Sequence, residues 1–123
     1  MLWIEAFKGR NVIVEVDEGD GPLDQFGLKL EGTAAGVQRF PVAIVDGRRR
    51  APWEMMQFDV SFPSDARFSG THVVLAVRDE HHSFEELFRG TTVMVNILLY
   101  GSAQTLIGRG SGVLRFAGGE SGT

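Results

Sequence analysis

The sequence predicts an all-β domain with one short helix: an antiparallel β-sandwich or small β-barrel of about eight strands. Three observations lead there. Apolar and polar residues alternate over short runs, the period-two signature of strands whose side chains point to opposite faces. Turns rich in Gly, Pro, Asn and Asp separate those runs, and 16 glycines in 123 residues suit a chain with many turns. No helical pattern of crossover length lies between the strands, which sets parallel α/β folds aside.

Leu2 to Phe7 reads as a first strand, and Val12 to Val16 as a second across the turn Lys8-Gly9-Arg10-Asn11. Asp17 to Pro22 has loop chemistry, with two glycines and a proline and no β-branched residue. Leu23 to Gln25 fits one helical turn, Phe26 to Glu31 a strand, and Gly32 to Gly36 a small-residue loop. Gln38 to Asp46 is a strand whose Pro41 marks an edge, because proline cannot donate to a ladder. Asp46-Gly47 is a hairpin turn signal.

Glu54 to Phe62 alternates cleanly. Met56, Phe58, Val60 and Phe62 face one way; Met55, Gln57, Asp59 and Ser61 face the other. Pro63 to Gly70 is a loop, and His72 to Arg78 a strand with Val73, Leu75 and Val77 aligned. Ser83-Phe84-Glu85-Glu86 fits a capping box, and Phe84, Leu87 and Phe88 give the following short helix an apolar face that Gly90 ends.

Thr91 to Phe116 is the longest β pattern. Its first arm is apolar on both faces apart from Asn96, as expected of a strand covered on both sides. Its return arm places Leu106, Gly108, Gly110, Gly112, Leu114 and Phe116 on one face. Glycine inside a strand marks curvature, a bulge or close approach of another group. The bare face therefore predicts either a sharply bent sheet or the floor of a ligand site. Gly108-x-Gly110-x-Gly112 is not a dinucleotide fingerprint, which needs G-x-G-x-x-G between a strand and a helix. Residues 1–117 form one domain on this reading, and 118–123 a disordered tail.

Composition excludes several classes. A net charge of −4 argues against nucleic acid, which demands a basic stripe. The absence of cysteine rules out a disulfide scaffold and thiolate-ligated zinc. No apolar run reaches membrane-spanning length. The N-terminal Met1-Leu2-Trp3-Ile4-Glu5 lacks a basic segment before an apolar run, so no signal peptide is expected; a cytoplasmic or virion-type soluble protein is the default, with a processed chain that lost its leader as the alternative.

The candidate sites are few. Gly108, Gly110 and Gly112, with Trp53 and Arg49 of the Arg48–Arg50 patch, are the candidate ligand-binding residues. Asp17 and Asp20, with Asp79 and Glu80 as a second loop, are the candidate calcium ligands, although the spacing lacks the helix-loop-helix calcium pattern. His81 and His82 are adjacent and point apart, so they do not share one ion easily. There is no G-x-S-x-G elbow and no catalytic triad. The aromatic set Trp3, Phe40, Trp53, Phe58, Phe62 and Phe116 reads as core material first. A glycine-rich last hairpin in a small barrel resembles the dirigent and allene-oxide-cyclase-like barrels; no diagnostic motif accompanies the likeness, and no residue is carried over.

The function expected from the residues is a non-catalytic β domain acting by protein binding or self-assembly, as a homo-oligomer or with a protein partner. One alternative is a small barrel that binds an apolar small molecule or acts as a cyclase-like enzyme. Another is a calcium-dependent module. No cofactor is expected.

Overall fold

A computed structural model of the chain describes residues 2–40, 43–45, 47–50, 53–78 and 82–117; for 2, 43–45 and 48–50 the backbone alone is described. The strands are β1 (Leu2–Ile4), β2 (Asn11–Gly19), β3 (Lys29–Phe40), β4 (Ala43–Val45), β5 (Arg48–Arg50), β6 (Trp53–Phe62), β7 (His72–Val77), β8 (Val93–Tyr100) and β9 (Leu106–Phe116). Three 3-10 helices join them: η1 (Glu5–Phe7), η2 (Gly21–Leu23) and η3 (Phe84–Arg89).

Of the two architectures the sequence predicts, the barrel forms. β2, β3, β6, β7, β8 and β9 each pair antiparallel with the next, and β9 returns to β2. Six strands thus close up-and-down into one antiparallel barrel, and full closure removes the two open edges that a sandwich keeps on each sheet. The seventh strand of the sheet, β1, lies on β3 beyond the stretch that pairs with β2.

Antiparallel closure gives the barrel two ends. Asn11, Phe40, Trp53, Val77, Val93 and Phe116 mark one; Gly19, Lys29, Phe62, His72, Tyr100 and Leu106 mark the other. At the first end β4 and β5 continue the β3–β6 hairpin in the same register: Phe40 faces Trp53, and Ala43 faces Arg50. Among the described residues β4 and β5 make their main contacts with each other.

Alternation supplies the interior. Val12, Val14, Leu30, Met56, Phe58, Val73, Leu75, Val95, Ile97, Leu99 and Leu114 are buried, each worth about 1.5–3 kcal/mol against exposure for residues of this size. Phe7, Phe84 and Leu87 close the first end, while Leu23, Leu28 and Phe68 close the second. Phe7 meets the Phe84 ring edge-on at 6.5 Å. Phe7, Phe88 and Phe116 then form a tilted aromatic cluster, with Arg10 over the Phe116 ring at 4.1 Å.

Several expectations need correction. Leu2 to Phe7 is not one strand: pairing stops at Ile4 and the chain turns into η1, which drops Phe7 into the barrel mouth. Gly32 to Gly36 is no loop but the middle of β3, where a Cβ at Gly32 would collide with the Asp59 carbonyl and the Phe58 ring. Phe26 and Gly27 form a turn, and β3 starts only at Lys29. The capping-box helix forms with both reciprocal bonds and a left-handed Gly90, yet it winds as 3-10 over its six residues. Residues 118–123, expected as a disordered tail, lie outside the described residues. Among the described residues no helix is long and apolar enough to cross a membrane.

Candidate functional site

The glycine row lies where β9 passes between β2 and β8. Gly112 faces Val16 on one side and Val95 on the other. β2 slips register between Val16 and Glu18 and curls over β9. A Cβ at Gly112 would collide with the Glu15 carbonyl, and one at Gly110 with the Glu18 carbonyl. At Gly108 it would lie 3.0 Å from the Asp20 carbonyl and 3.5 Å from Leu23 Cγ. The chain's own β2 and η2 therefore occupy the space over the bare face that a ligand was expected to fill. Close approach of neighbouring backbone is thus one reason these positions are glycine.

The acidic residues are not gathered. Asp20 sits at the N-terminus of η2, and its Oδ1 accepts the Arg109 backbone N–H at 2.7 Å, pinning the loop to β9. Asp17 is exposed nearby. β7 runs out at Val77, at the opposite end of the barrel, and Asp79 and Glu80 lie outside the described residues. Among the described residues no three His, Asp or Glu side chains converge as a metal site. An open groove of about 470 Å³ beside this loop is lined by Glu18, Asp20, Arg78, Asn96, Arg109 and Ser111. Two acids and two bases line it, so its walls favour neither sign of ion.

At the barrel's other mouth, Arg39 and Glu54 are cross-strand partners on β3 and β6. Glu54 is 5% exposed, and both its oxygens are used: Oε2 accepts from Arg39 Nε at 2.7 Å and Oε1 from the Phe84 N–H at 2.9 Å. Arg39 Nη2 also donates to Glu85 at 2.9 Å. The hydrogen bond to Glu54 raises the guanidinium's affinity for its proton further. With both Glu54 oxygens engaged and Arg39 shared between two carboxylates, the trio acts as a brace for η3.

The outer wall is different. Trp3 on β1 pairs with Gln38, Gln38 with Met55, and Met55 with Ala76, making one row across four strands. Two residues further along, Trp53 stacks on Phe40 at 4.3 Å with the rings 13° apart. Trp3 and Trp53 remain 48% and 44% exposed, too open for core residues. Trp3, Gly36, Gln38, Met55, Gln57 and Val74 bound a cleft of about 220 Å³ between them. That is smaller than the ~300–1,000 Å³ of ordinary small-molecule sites. Trp53 is thus the predicted site residue that the structure places in an accessible cluster, and Arg49 lies on β5 beyond it.

The aromatic set expected as core is therefore divided. Phe58 is buried and Phe116 partly buried, while Trp3, Trp53 and Phe62 are about half exposed. The signal was present for Trp53. It shares parity with Met55, Gln57 and Asp59, the outward set of β6. For Trp3 no such signal exists, because a three-residue strand has too little pattern to assign a face.

No family model, curated protein or solved structure matches this chain.

Proposed function

We propose that the chain is a non-catalytic β-barrel module acting by protein binding or self-assembly through its outer surface. The observation that supports this most is the pair of half-exposed tryptophans, Trp3 and Trp53, flanking Met55 on the outside of a barrel whose inside is filled. Exposed Trp and Met on a rigid sheet are the residues that protein interfaces enrich, and burying them gains area at little conformational cost. The ligand alternative finds less support, since side chains and backbone fill the space over Gly108, Gly110 and Gly112. The brace around Glu54, whose two carboxylate oxygens are both engaged, fits a structural role better than a catalytic one.

Sedimentation velocity from micromolar to near-millimolar protein tests the proposal, comparing the native chain with the Trp3→Ser/Trp53→Ser variant. Association that weakens in the variant is the expected result. A chain that stays monomeric throughout removes self-assembly and leaves only a different protein as partner. Chemical cross-linking at the tryptophan face, with no partner recovered from the native source, then removes that as well.

A further inference from the structure

We infer that Phe26 of one copy seats in the outer cleft beside Trp3 and Met55 of a second copy, and that two such contacts, exchanged across a two-fold axis, make a dimer. This rests on the protein-binding reading of the tryptophan wall and deepens it by naming the side chain that fills the cleft.

The cleft has the size of one ring. Its volume is about 220 Å³. A dry cavity of about 150 Å³ is enough to hold benzene, whereas ordinary small-molecule sites start at about 300 Å³. The space therefore matches a single aromatic side chain. Its walls suit one too: Trp3 offers an indole and Met55 a thioether, both of which pack well against an aromatic ring.

The chain displays such a ring. Phe26 is fully exposed, at 106% of its reference area. Its loop is anchored on both sides. Leu23 and Leu28 are buried, and the Leu28 carbonyl accepts the Val16 N–H at 2.9 Å. An apolar ring is thus held out in water by a loop that is already ordered, so burying it against a partner gains area with little further ordering cost.

Charge agrees with the pairing. Asp17, Glu18, Asp20 and Asp24 of the segment leading to Phe26 are exposed, and no lysine or arginine occurs from residue 16 to 28. No acid lines the cleft. Lys8, which is exposed, stands at its edge: the next residue, Gly9, donates its N–H to the Ala34 carbonyl at 2.9 Å, beside Ala35 of the cleft wall. An acidic loop approaching this edge meets a cation.

The occupant has to come from another copy. Ala35 lies six residues along β3 from Lys29, about 20 Å at the rise of a strand. The Leu28 anchor keeps Phe26 at the start of β3, away from its own cleft. Each copy carries one ring and one cleft, so a two-fold axis satisfies both at once and assembly stops at the dimer.

The test is sedimentation velocity on the full native chain and on the Phe26→Ser and Met55→Lys variants, from micromolar to near-millimolar protein. The native chain is expected to dimerise, and each variant to associate at least about tenfold more weakly, as loss of an anchoring aromatic contact implies. Mixed one to one, the variants are expected to associate more tightly than either does alone, because one supplies the ring and the other the cleft. In a Trp53→Phe background Trp3 is the single tryptophan, and its emission should move to shorter wavelength as the dimer forms. Circular dichroism melts check folding, and Gln57→Lys, at an exposed cleft position, repeats the cleft test if Met55→Lys folds poorly. A Phe26→Ser chain that dimerises like the native one overturns this inference, and association lost in Trp3→Ser/Trp53→Ser then keeps the tryptophan wall as the interface. A native chain monomeric at all concentrations overturns it too, and leaves that wall to a different protein.

Discussion

The Glu54 carboxylate accepts the Phe84 backbone N–H at 2.9 Å, tying the first inward position of β6 to the first turn of the helix that stoppers the barrel. The same carboxylate holds Arg39 across the β3–β6 ladder. One buried charge therefore locks two strands and a plug.

Glu54→Ala is expected to cost about 3 kcal/mol of unfolding free energy, since it strands the Phe84 N–H and leaves Arg39 with Glu85 alone. Glu54→Gln keeps an acceptor for that N–H and loses less. Urea denaturation of both variants measures the difference. An alanine variant as stable as the native protein contradicts the bracing role.

Gly112→Ala is expected to destabilise the barrel by about 1–3 kcal/mol or more, because the new methyl meets the Glu15 carbonyl and not a side chain that can move. Gly101→Ala is the control. Its added Cβ would stand 3.6 Å from Ile107 Cγ2, an ordinary contact, and stability should hardly change. Comparing the two denaturation midpoints separates the backbone collision at Gly112 from the general effect of a glycine-to-alanine change in the β8–β9 hairpin.

Acid should weaken the plug in a defined window. The Ser83 backbone N–H, and after it the His82 ring, hold the Glu86 carboxyl below its ordinary value. A depressed carboxyl contributes stability that is fully present above the unfolded-state value and is lost as pH falls through the folded-state one. Asp65 behaves alike, lowered chiefly by the Arg67 side-chain hydrogen bond. Thermal melts of the native chain should therefore drop below the normal carboxylate range. Glu86→Gln should flatten part of that drop, and an unchanged profile in the variant assigns the acid sensitivity elsewhere.

Trp53→Ser should be nearly neutral for folding, costing about 1 kcal/mol through the lost Phe40 stack. Phe58→Ala, its buried neighbour on β6, should cost about 3–5 kcal/mol. A large loss at Trp53 in the isolated protein would mean that this side chain serves folding before binding.

Excess calcium or EDTA should leave the melting curve in place. Asp20 is engaged by Arg109, and Asp17 has no second carboxylate loop at its end of the barrel among the described residues. A rise in melting temperature that grows with calcium concentration, as linkage requires of a ligand bound only to the native state, would restore the metal reading.

The sequence by itself determined whatever depends on local pattern. Period-two alternation placed β6, β7, β8 and β9 and put Met56, Phe58, Val73 and Leu75 inside. The Ser83–Glu86 spacing gave the plug its cap, because a capping box is a contact between near neighbours. Tertiary structure alone decided the rest. Barrel closure depends on β9 meeting β2, residues about a hundred positions apart in the chain, and alternation is the same in a sandwich and a barrel. Glycine says that something comes close, but only the fold says that at Gly108, Gly110 and Gly112 it is the chain's own backbone. Trp3 reads as core by its chemistry, and Phe26 as the first residue of a strand. They are exposed because strand length and a turn, and not hydrophobicity, set which way they face.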